Sequence, residues 1–358
     1  NAAEYINDFK RIDIAHSTFA NNHAKLSFGA LHITTGSTVN LSKIQCFMNS
    51  ANIDSGALYV SGVKFANIEM TKFARNAAKN AGGAVIINTV NLLNITQSLL
   101  SYNIAEKSKG GSLLSKSSTF VALLSCLFLN NSAKDDGGAV ALSYADNIQV
   151  MYSNFQNNKA NGSGGGLISS DSYTVVISSC KFLHQNSMQS GGSISISSSE
   201  YVNISTCHFM SSESFKHGGS LYLFATQYIA LQNNNISQSM SKERGGSLFL
   251  AFSQKLDFSK SLVQNSKSKF DSGGFAHLDR VDYAYFRETQ ILETTSCLSG
   301  GSFYIQNVAN SFFDRLIFSS ATQRNGGCIY LHNLVHVTLI KSCFRNNTAG
   351  IYGGAVYI

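Results

Sequence analysis

The sequence of 358 residues contains no proline. A proline inside a β-sheet removes one hydrogen bond of the ladder, so its absence favours long, regular stacks of strands. Charged residues are also scarce, at 13%, where a soluble protein usually has about a quarter. Asparagine and serine supply most of the polar side chains. We therefore expect a surface that is hydrated without strong charge repulsion.

Other absences narrow the range of functions. The sequence has no apolar run of eighteen residues and no CxxC spacing. We therefore expect no membrane span in this segment and no metal site. No recognised motif for nucleic-acid binding accompanies the positive charge, so we expect no nucleic-acid partner. We also expect no cofactor.

Glycine recurs at a nearly constant interval along the whole chain. The recurring residues are 26, 27 or 28 positions apart, and from Gly83 onward each is preceded by another glycine, which predicts a tight turn with positive φ. They are Gly29, Gly56, Gly83, Gly111, Gly138, Gly166, Gly192, Gly219, Gly246, Gly274, Gly301, Gly327 and Gly354. Such a period is the signature of a repeat array.

Each period carries three short apolar patterns of the strand type. Aliphatic residues lie two and four positions after the second glycine, as in Val140 and Leu142, and again ten and twelve positions after it, as in Ile148 and Val150. The third pattern lies ten residues before the next glycine and comprises Phe19, Phe73, Phe128, Phe182, Phe209, Ile236, Ile291, Ile317 and Phe344. Turns rich in Asn, Ser and Gly separate the patterns, and no stretch is periodic enough for a helix.

These patterns predict an all-β fold, a right-handed single-stranded parallel β-helix (β-solenoid) with three strands per coil. About 27 residues would form a coil, and about 13 coils spaced by about 4.8 Å would form a rod on the order of 60 Å long. We expect residues 1–358 to form one continuous segment of this helix. Because the first and last residues fall inside repeats, we interpret the chain as an excerpt of a longer repeat protein.

Two motifs in these repeats resemble those of a known family. The run Phe128–Asn131 is followed by Gly137–Val140, and the run Phe344–Asn347 by Gly353–Val356. Both resemble the paired FxxN and GGA(I/V/L) motifs of the chlamydial polymorphic outer membrane protein repeat. Serine replaces the alanine of the second motif in several coils, for example at Ser220. The resemblance implies a β-helix like those of bacterial autotransporter adhesins and of large surface proteins of protists.

Together, the repeats and the resemblance favour a structural or adhesive scaffold segment of a large extracellular or cell-surface protein, without catalytic residues. Two alternatives stay open. One is a carbohydrate-binding or carbohydrate-cleaving β-helix, and the other is a structural component of a cilium or another filamentous assembly. We expect the partners to be proteins or glycans that bind along the rod face, with lateral assembly of rods as a further option.

Six aromatic residues share one position, three residues after the second glycine, on the outward side of the first strand. They are Tyr59, Tyr222, Phe249, Tyr304, Tyr330 and Tyr357. Exposed rings on a flat sheet would form a packing face for a protein partner or a sugar. The alternative is that the rings stack on one another and only stabilise the sheet.

Basic residues recur in the turn before the glycine pair, and the net charge is +7. They are Lys79, Lys107, Lys109, Lys134, Lys159, Lys216, Lys242, Arg244, Lys267, Lys269 and Arg324. Stacked as a ridge along the coils, they would attract anionic glycans, lipid head groups or an acidic partner. The alternative is a solvated turn that discourages aggregation.

Two further residue sets are candidates for covalent chemistry. Seven Asn-x-Ser/Thr sequons are candidate N-glycosylation sites, at Asn40, Asn94, Asn130, Asn161, Asn203, Asn235 and Asn346. Cys126, Cys180 and Cys207 share one column and predict an inward row of thiols in the space that Ser98 and Ser153 fill in other coils. A disulfide between Cys180 and Cys207 is the alternative.

Catalysis by a β-helix would need carboxylates that converge from adjacent coils. Asp and Glu together number only 20 and do not share a column. The best cluster lies within one coil and contains His277, Asp279, Arg280, Asp282 and Arg287. Because the neighbouring coils offer no matching carboxylates, we interpret this cluster as a solvated turn with local ion pairs.

Overall fold

A computed structural model describes residues 4–358 and, within them, every side chain except those of Gln323 and Arg324. The chain divides into two compact units, Asn1–Val176 and Ile177–Ile358. In each unit the strands pair in parallel with the equivalent strand one coil away, and none of residues 4–358 is helical. The predicted all-β parallel solenoid is confirmed, with about 13 coils of about 27 residues and three sheets.

Each coil of the first unit has three sides. The first side comprises Glu4–Ala15, Leu31–Ser42, Leu58–Glu69, Val85–Thr96, Leu113–Lys116, Phe120–Leu124, Val140–Ser143, Asn147–Met151, Leu167–Ser170 and Thr174–Ser178. The second side comprises Thr18–Ala20, Gln45–Phe47, Lys72–Ala74, Leu99–Ser101, Leu127–Leu129 and Asn154–Gln156. The third side comprises His23–Ala24, Ser50–Ala51, Ala77–Ala78, Ile104–Ala105, Ser132–Ala133 and Lys159–Ala160.

The second unit repeats this arrangement. Its first side comprises Ile194–Ser197, Tyr201–Ser205, Leu221–Phe224, Tyr228–Gln232, Leu248–Ser259, Ala276–Arg287, Phe303–Asp314, Ile329–Ile340 and Val356–Tyr357. Its second side comprises Lys181–Leu183, His208–Met210, Asn235–Ser237, Leu262–Gln264, Gln290–Leu292, Ile317–Ser319 and Cys343–Arg345. Its third side comprises Asn186–Ser187, Glu213–Ser214, Met240–Ser241, Lys267–Ser268, Thr322–Asn325 and Thr348–Tyr352.

The core lies inside the coils, where equivalent residues of successive coils stack in columns. In the first unit Leu31, Leu58 and Val85 pair in register and are fully buried. On the second side the rings of Phe128 and Phe155 stack with their centroids 4.6 Å apart. The apolar alternation in the sequence therefore identified the buried face of the strands.

One predicted member of the phenylalanine column is wrong. Phe318 pairs with Ile291 and Phe344 in this column, whereas Ile317 points outward and is 40% exposed. The interval from Gly301 to Gly327 is 26 residues. This coil is one residue shorter than the usual 27, and the shortening falls between the column and Gly327. Counting ten residues back from Gly327 therefore gave Ile317 instead of Phe318.

The two glycines of each pair have different roles. The first has a left-handed backbone, with φ of 71° at Gly110 and 67° at Gly137, which confirms the predicted positive φ and favours glycine. The second has no room for a side chain, because a Cβ at Gly111 would lie 2.0 Å from the carbonyl oxygen of Gly138 in the next coil. Two neighbouring backbones therefore approach each other closely at this turn.

Where three glycines follow one another, the structure has the pair at Gly164 and Gly165 instead of the predicted Gly165 and Gly166. Gly164 has the positive φ of 68°, and the carbonyl oxygen of Gly165 lies 2.2 Å from the Cβ that Gly138 lacks. Gly166 instead takes the place that Ala139 takes one coil earlier, where the amide of Ala139 donates to the carbonyl of Gly166. With three consecutive glycines, the sequence alone does not show which two of them form the pair.

Other corners of the coil place residues with side chains in the same left-handed region. One corner contains Lys43, Met70 and Gln97 in successive coils, with φ of 53°, 48° and 47°. All three side chains are exposed. A left-handed residue other than glycine costs about 1 kcal/mol or more. The path of the coil, not a preference of these side chains, therefore dictates this conformation.

The asparagine of the FxxN motif forms a buried ladder in the first unit. The side-chain amide of Asn103 donates to the amide oxygen of Asn131 in the next coil, at 3.1 Å, and to the carbonyl of Phe73 in the previous one, at 3.1 Å. Its own oxygen accepts from the backbone and side-chain N–H groups of Asn76, at 2.9 and 3.0 Å. Asparagine suits this column because its amide donates and accepts at the same time.

In three coils of the second unit a serine pair replaces the ladder. Ser239 takes the asparagine position, and its hydroxyl lies 2.5 Å from that of Ser220, which follows the glycine pair of the same coil. Ser193 and Ser212 repeat the contact at 2.6 Å. A serine side chain is too short to reach the next coil as asparagine does. The residue after the glycine pair is therefore serine instead of alanine, and its hydroxyl supplies the hydrogen-bond partner. The GGS departures at Ser193, Ser220 and Ser247 are thus matched by a serine at the asparagine position of the same coil.

We predict unequal costs for breaking the two arrangements. Asn103→Ala leaves several buried polar groups without partners and should lower the free energy of unfolding by about 3 kcal/mol or more. Ser239→Ala should cost about 1 kcal/mol, and Ser220→Ala combined with Ser239→Ala should cost less than the two single changes added together. Urea unfolding measures all four variants, and equal losses for Asn103→Ala and Ser239→Ala would contradict the ladder's role.

Candidate binding faces

The outward position three residues after the second glycine carries a continuous stack of rings in the second unit. We call this set the ring column; it consists of Tyr222, Phe249, His277, Tyr304, Tyr330 and Tyr357. Neighbouring centroids lie 4.7 to 5.4 Å apart, and the interplanar angles are between 4° and 17°. Five of the six predicted aromatic residues therefore lie in one stack. The predicted alternative of mutual stacking describes their geometry.

The remaining predicted residue, Tyr59, belongs to the first unit and has different neighbours. Its ring packs 4.1 Å from that of Phe28 and 5.2 Å from that of His32. On its other side the column continues with the aliphatic residues Ile86 and Leu114, which are buried. The sequence set therefore does not form one uniform aromatic face.

The ring column is only partly accessible. Phe249 is 7% exposed, and the four tyrosines are half-buried. The glycine turn lies against the rings, since a Cβ at Gly353 would approach the Cβ of Tyr357 to 3.0 Å. His217, just before another glycine pair, stacks on Phe249 at 4.7 Å. Because neighbouring rings cover each other's faces, the column presents ring edges and hydroxyl groups to a partner.

Burial also changes the acid–base properties of the ring column. It raises the pKa of the Tyr222 and Tyr304 hydroxyls above the ordinary value. These groups stay neutral at physiological pH, and each can both donate and accept a hydrogen bond. The hydroxyl of Tyr304 donates to the side chain of Gln306 at 3.0 Å.

His277 is a member of the ring column that sequence reasoning missed. The imidazole is 2% exposed, lies between Phe249 and Tyr304, and has no hydrogen-bond partner for either ring nitrogen. Burial, with a smaller contribution from the charge of Arg244, lowers its pKa to about 3. Its place three residues after Gly274 was the available signal. The sequence hypothesis had instead grouped it with nearby charged residues.

The structure disperses that charged cluster. Asp279 accepts a hydrogen bond from Asn307 at 2.8 Å, and Arg287 forms an ion pair with Asp257 of the previous coil. Arg280 lies 4.7 Å from the ring centroid of Phe252, and Asp282 is exposed. These side chains serve separate local contacts. Within residues 4–358, no group of three or more His, Cys, Asp or Glu residues is placed to hold a metal ion.

The basic residues do not form one free ridge. Lys109 is paired with Asp136 at 2.7 Å, and Arg244 with Asp271 at 3.0 Å. The ammonium group of Lys242 lies 3.9 Å from the ring centroid of Phe215. Exposed side chains are Lys79, Lys107, Lys134, Lys159, Lys216, Lys267 and Lys269, together with the paired Arg244. The side chain of Arg324 lies outside the described residues. Part of the positive charge is therefore neutralised within the turns.

The seven sequons differ in accessibility. Asn203 and Asn346 are exposed, whereas Asn130, Asn161 and Asn235 are half-buried. Asn40 and Asn94 are also half-buried, and their amides donate to Asp13 and to Asn67, respectively. Glycosylation stays a prediction, and its best-exposed candidates are Asn203 and Asn346.

The three cysteines of this column are buried thiols, and Ser153 lies between Cys126 and Cys180. Cys180 donates to the carbonyl of Ser178 at 3.2 Å, and Cys207 to that of Ser205 at 3.3 Å. A hydrogen bond with Cys180 and burial raise the pKa of the Cys207 thiol. The backbone amide of Cys126 donates to the hydroxyl of Ser153 at 3.1 Å. The structure thus has the predicted inward thiols rather than a disulfide.

Several exposed rings lie at a position that sequence reasoning did not single out, nine residues after the second glycine. Phe65, Tyr201, Tyr228 and Tyr283 are 45%, 42%, 38% and 46% exposed. Tyr201 and Tyr228 stack at 5.2 Å. Aromatic residues nine positions after Gly56, Gly192, Gly219 and Gly274 were the available signal.

No helix among the described residues is long and apolar enough to cross a membrane.

We predict that His277 makes the stability of the fold sensitive to acid. Its pKa is about 3 in the folded chain and about 6.5 when unfolded. The unfolded chain therefore takes up this proton first as the pH falls. Stability is fully present above about pH 6.5 and declines towards pH 3, with a loss of about 2 kcal/mol from this residue by pH 5.

Unfolding of the wild type and of His277→Phe should be compared at pH 7.5 and pH 5.0. The variant should lose less stability between the two pH values, while the control His332→Phe, at an exposed site, should behave as the wild type. An unchanged pH dependence in His277→Phe would show that the buried imidazole is not responsible.

Comparison with known proteins gives one family match. Residues 125–143 match the model of the Chlamydia polymorphic membrane protein repeat. No curated protein and no solved structure matches the chain significantly. The matched segment contains Phe128, Asn131 and the pair Gly137–Gly138, whose structural roles are described above. The predicted resemblance is confirmed, and the segment of residues 125–143 is similar to a repeat of the polymorphic membrane protein type.

Proposed function

We propose that this chain is a non-catalytic, adhesive or structural scaffold segment of a cell-surface protein, and that the edges of the ring column contact protein partners. The observation that carries this proposal is the continuity of the ring column over successive coils. It presents the hydroxyls of Tyr304, Tyr330 and Tyr357 on three successive coils, and that of Tyr222 three coils before Tyr304, from side chains that have little conformational entropy left to lose.

A surface location is supported by the family match, whose description is that of a membrane protein repeat. The hypothesis of a non-enzyme is supported by the dispersal of the charged residues around Asp279 and Arg287. Ring stacking favours proteins over sugars as partners of the ring column. A sugar would stack on a ring face, and these faces are already covered by neighbouring rings.

Removing hydroxyls from the ring column should weaken partner binding without unfolding the chain. Tyr222, Tyr330 and Tyr357 changed together to Phe keep the stack and lose only the polar edges. We expect at least tenfold weaker lateral association by sedimentation velocity, or at least tenfold weaker capture by intact cells. Lys216, Lys242 and Lys267 changed together to Gln form the matched control and should mainly slow association at low salt. The hypothesis is wrong if only the lysine variant loses binding.

The location has its own test. An antibody against this chain should label intact cells that produce the parent protein, and labelling that requires permeabilisation would contradict a surface location. We also expect incubation with neutral and acidic polysaccharides to release no new reducing ends or unsaturated products. Turnover that disappears in Asp279→Asn or Asp282→Asn would instead identify an enzyme.

A further inference from the structure

A polar groove lies on the outward face of the first side in the first unit. It has a volume of about 470 Å³ and is lined by Asn40, Asn67 and Asn94 together with neighbouring polar side chains. These three asparagines occupy equivalent positions in successive coils. Neither the ring column nor the basic turns contribute to it.

The floor of the groove is a ladder of side-chain amides. Asn94 donates to Asn67 at 3.1 Å, Asn67 donates to Asn40 at 2.9 Å, and Asn40 donates to Asp13 at 2.7 Å. Each amide has two N–H groups, and each amide oxygen has two lone pairs. One donor on each asparagine, and one lone pair on each accepting oxygen, therefore remain for a ligand in the half-buried groove.

An apolar strip runs beside this ladder. Phe65 lies between Thr38 and Leu92 in the adjacent column and is 45% exposed. No other ring stacks on Phe65 among the residues that the structure describes. Phe65 lies two residues before Asn67, on the side of the ladder opposite to Ser42, Glu69 and Thr96, which line the groove. Phe65 is not itself a lining residue, but the exposed part of its ring offers apolar surface next to the hydrogen-bonding amides.

We propose that the amide ladder, with the groove on one side and Phe65 on the other, binds a neutral glycan chain. Sugar hydroxyls donate and accept in the same way as the amides of the ladder, and the apolar face of a pyranose ring can pack against the exposed part of Phe65. Successive amides are spaced by about 4.8 Å, close to the advance of one sugar unit in an extended chain. A linear oligosaccharide lying along the column can therefore repeat the same contact on each coil.

The charges of the groove disfavour an acidic glycan. Arg11 is paired with Asp13 at 2.7 Å, and Glu69 adds an exposed carboxylate to the lining. The groove thus has an excess of negative charge, which repels uronates and sulfates. This proposal is independent of the partner contact assigned to the ring column.

Titration calorimetry of the full chain with cellohexaose, chitohexaose and mannohexaose tests the proposal, with an oligogalacturonate as the acidic comparison. We expect at least one neutral hexasaccharide to bind, and both Phe65→Ser and Asn67→Ala to weaken that binding at least tenfold. Phe252→Ser, which changes a ring of 44% exposure in the second unit, should bind as the wild type. Circular dichroism establishes that each variant keeps its β-structure.

Three outcomes would overturn the proposal: no neutral hexasaccharide binds at millimolar concentration, Phe65→Ser binds as tightly as the wild type, or the oligogalacturonate binds more tightly than the neutral sugars. A second arm distinguishes free polysaccharide from protein-linked glycan as the source. In this arm, a glycoprotein with neutral glycans is tested before and after enzymatic removal of its sugars. Binding that survives removal of the sugars would mean that the groove recognises protein, and would also overturn the proposal.

Discussion

The structure depends on the close approach of each coil to the next. With adjacent strands about 4.8 Å apart, each side chain has its equivalent in the next coil as its nearest neighbour. A column is therefore stable only if its residue type can pack against a copy of itself. Aliphatic residues and phenylalanine satisfy this condition inside the coil, and the second glycine satisfies it where the backbones come closest, as Gly111 shows.

This condition also explains which polar residues are buried. Asparagine donates to one neighbour while it accepts from the other, so Asn76, Asn103 and Asn131 form a ladder in which each amide satisfies the next. Serine is too short for that ladder and recruits a second serine within its own coil, as Ser239 does with Ser220. The unusual composition of the chain, rich in Asn and Ser, thus follows in part from the requirements of the interior.

Sequence reasoning predicted the coil, the strand alternation and the glycine turns, because all three recur with the period of the repeat. It failed where the period itself varies. Ile317 was placed in the core because one coil is shorter, and Gly166 was assigned to the pair because three glycines follow one another. The burial of the ring column could not be predicted from the sequence either, because it depends on how the glycine turn lies against Phe249 and Tyr357. The site formed by the groove, the amide ladder and Phe65 could not be predicted either, because it depends on which columns are lateral neighbours, and the period alone does not reveal that order.

The left-handed corners have a consequence for how such a chain can diverge. At the corner of Lys43, Met70 and Gln97 the coil imposes the backbone conformation, and the exposed side chains are a cation, an apolar chain and an amide. Because these side chains point into solvent, exchanging one for another does not alter the packing inside. The exposed residues at these corners can therefore change during evolution, and with them the surface that antibodies or competitors contact, while the interior stays the same.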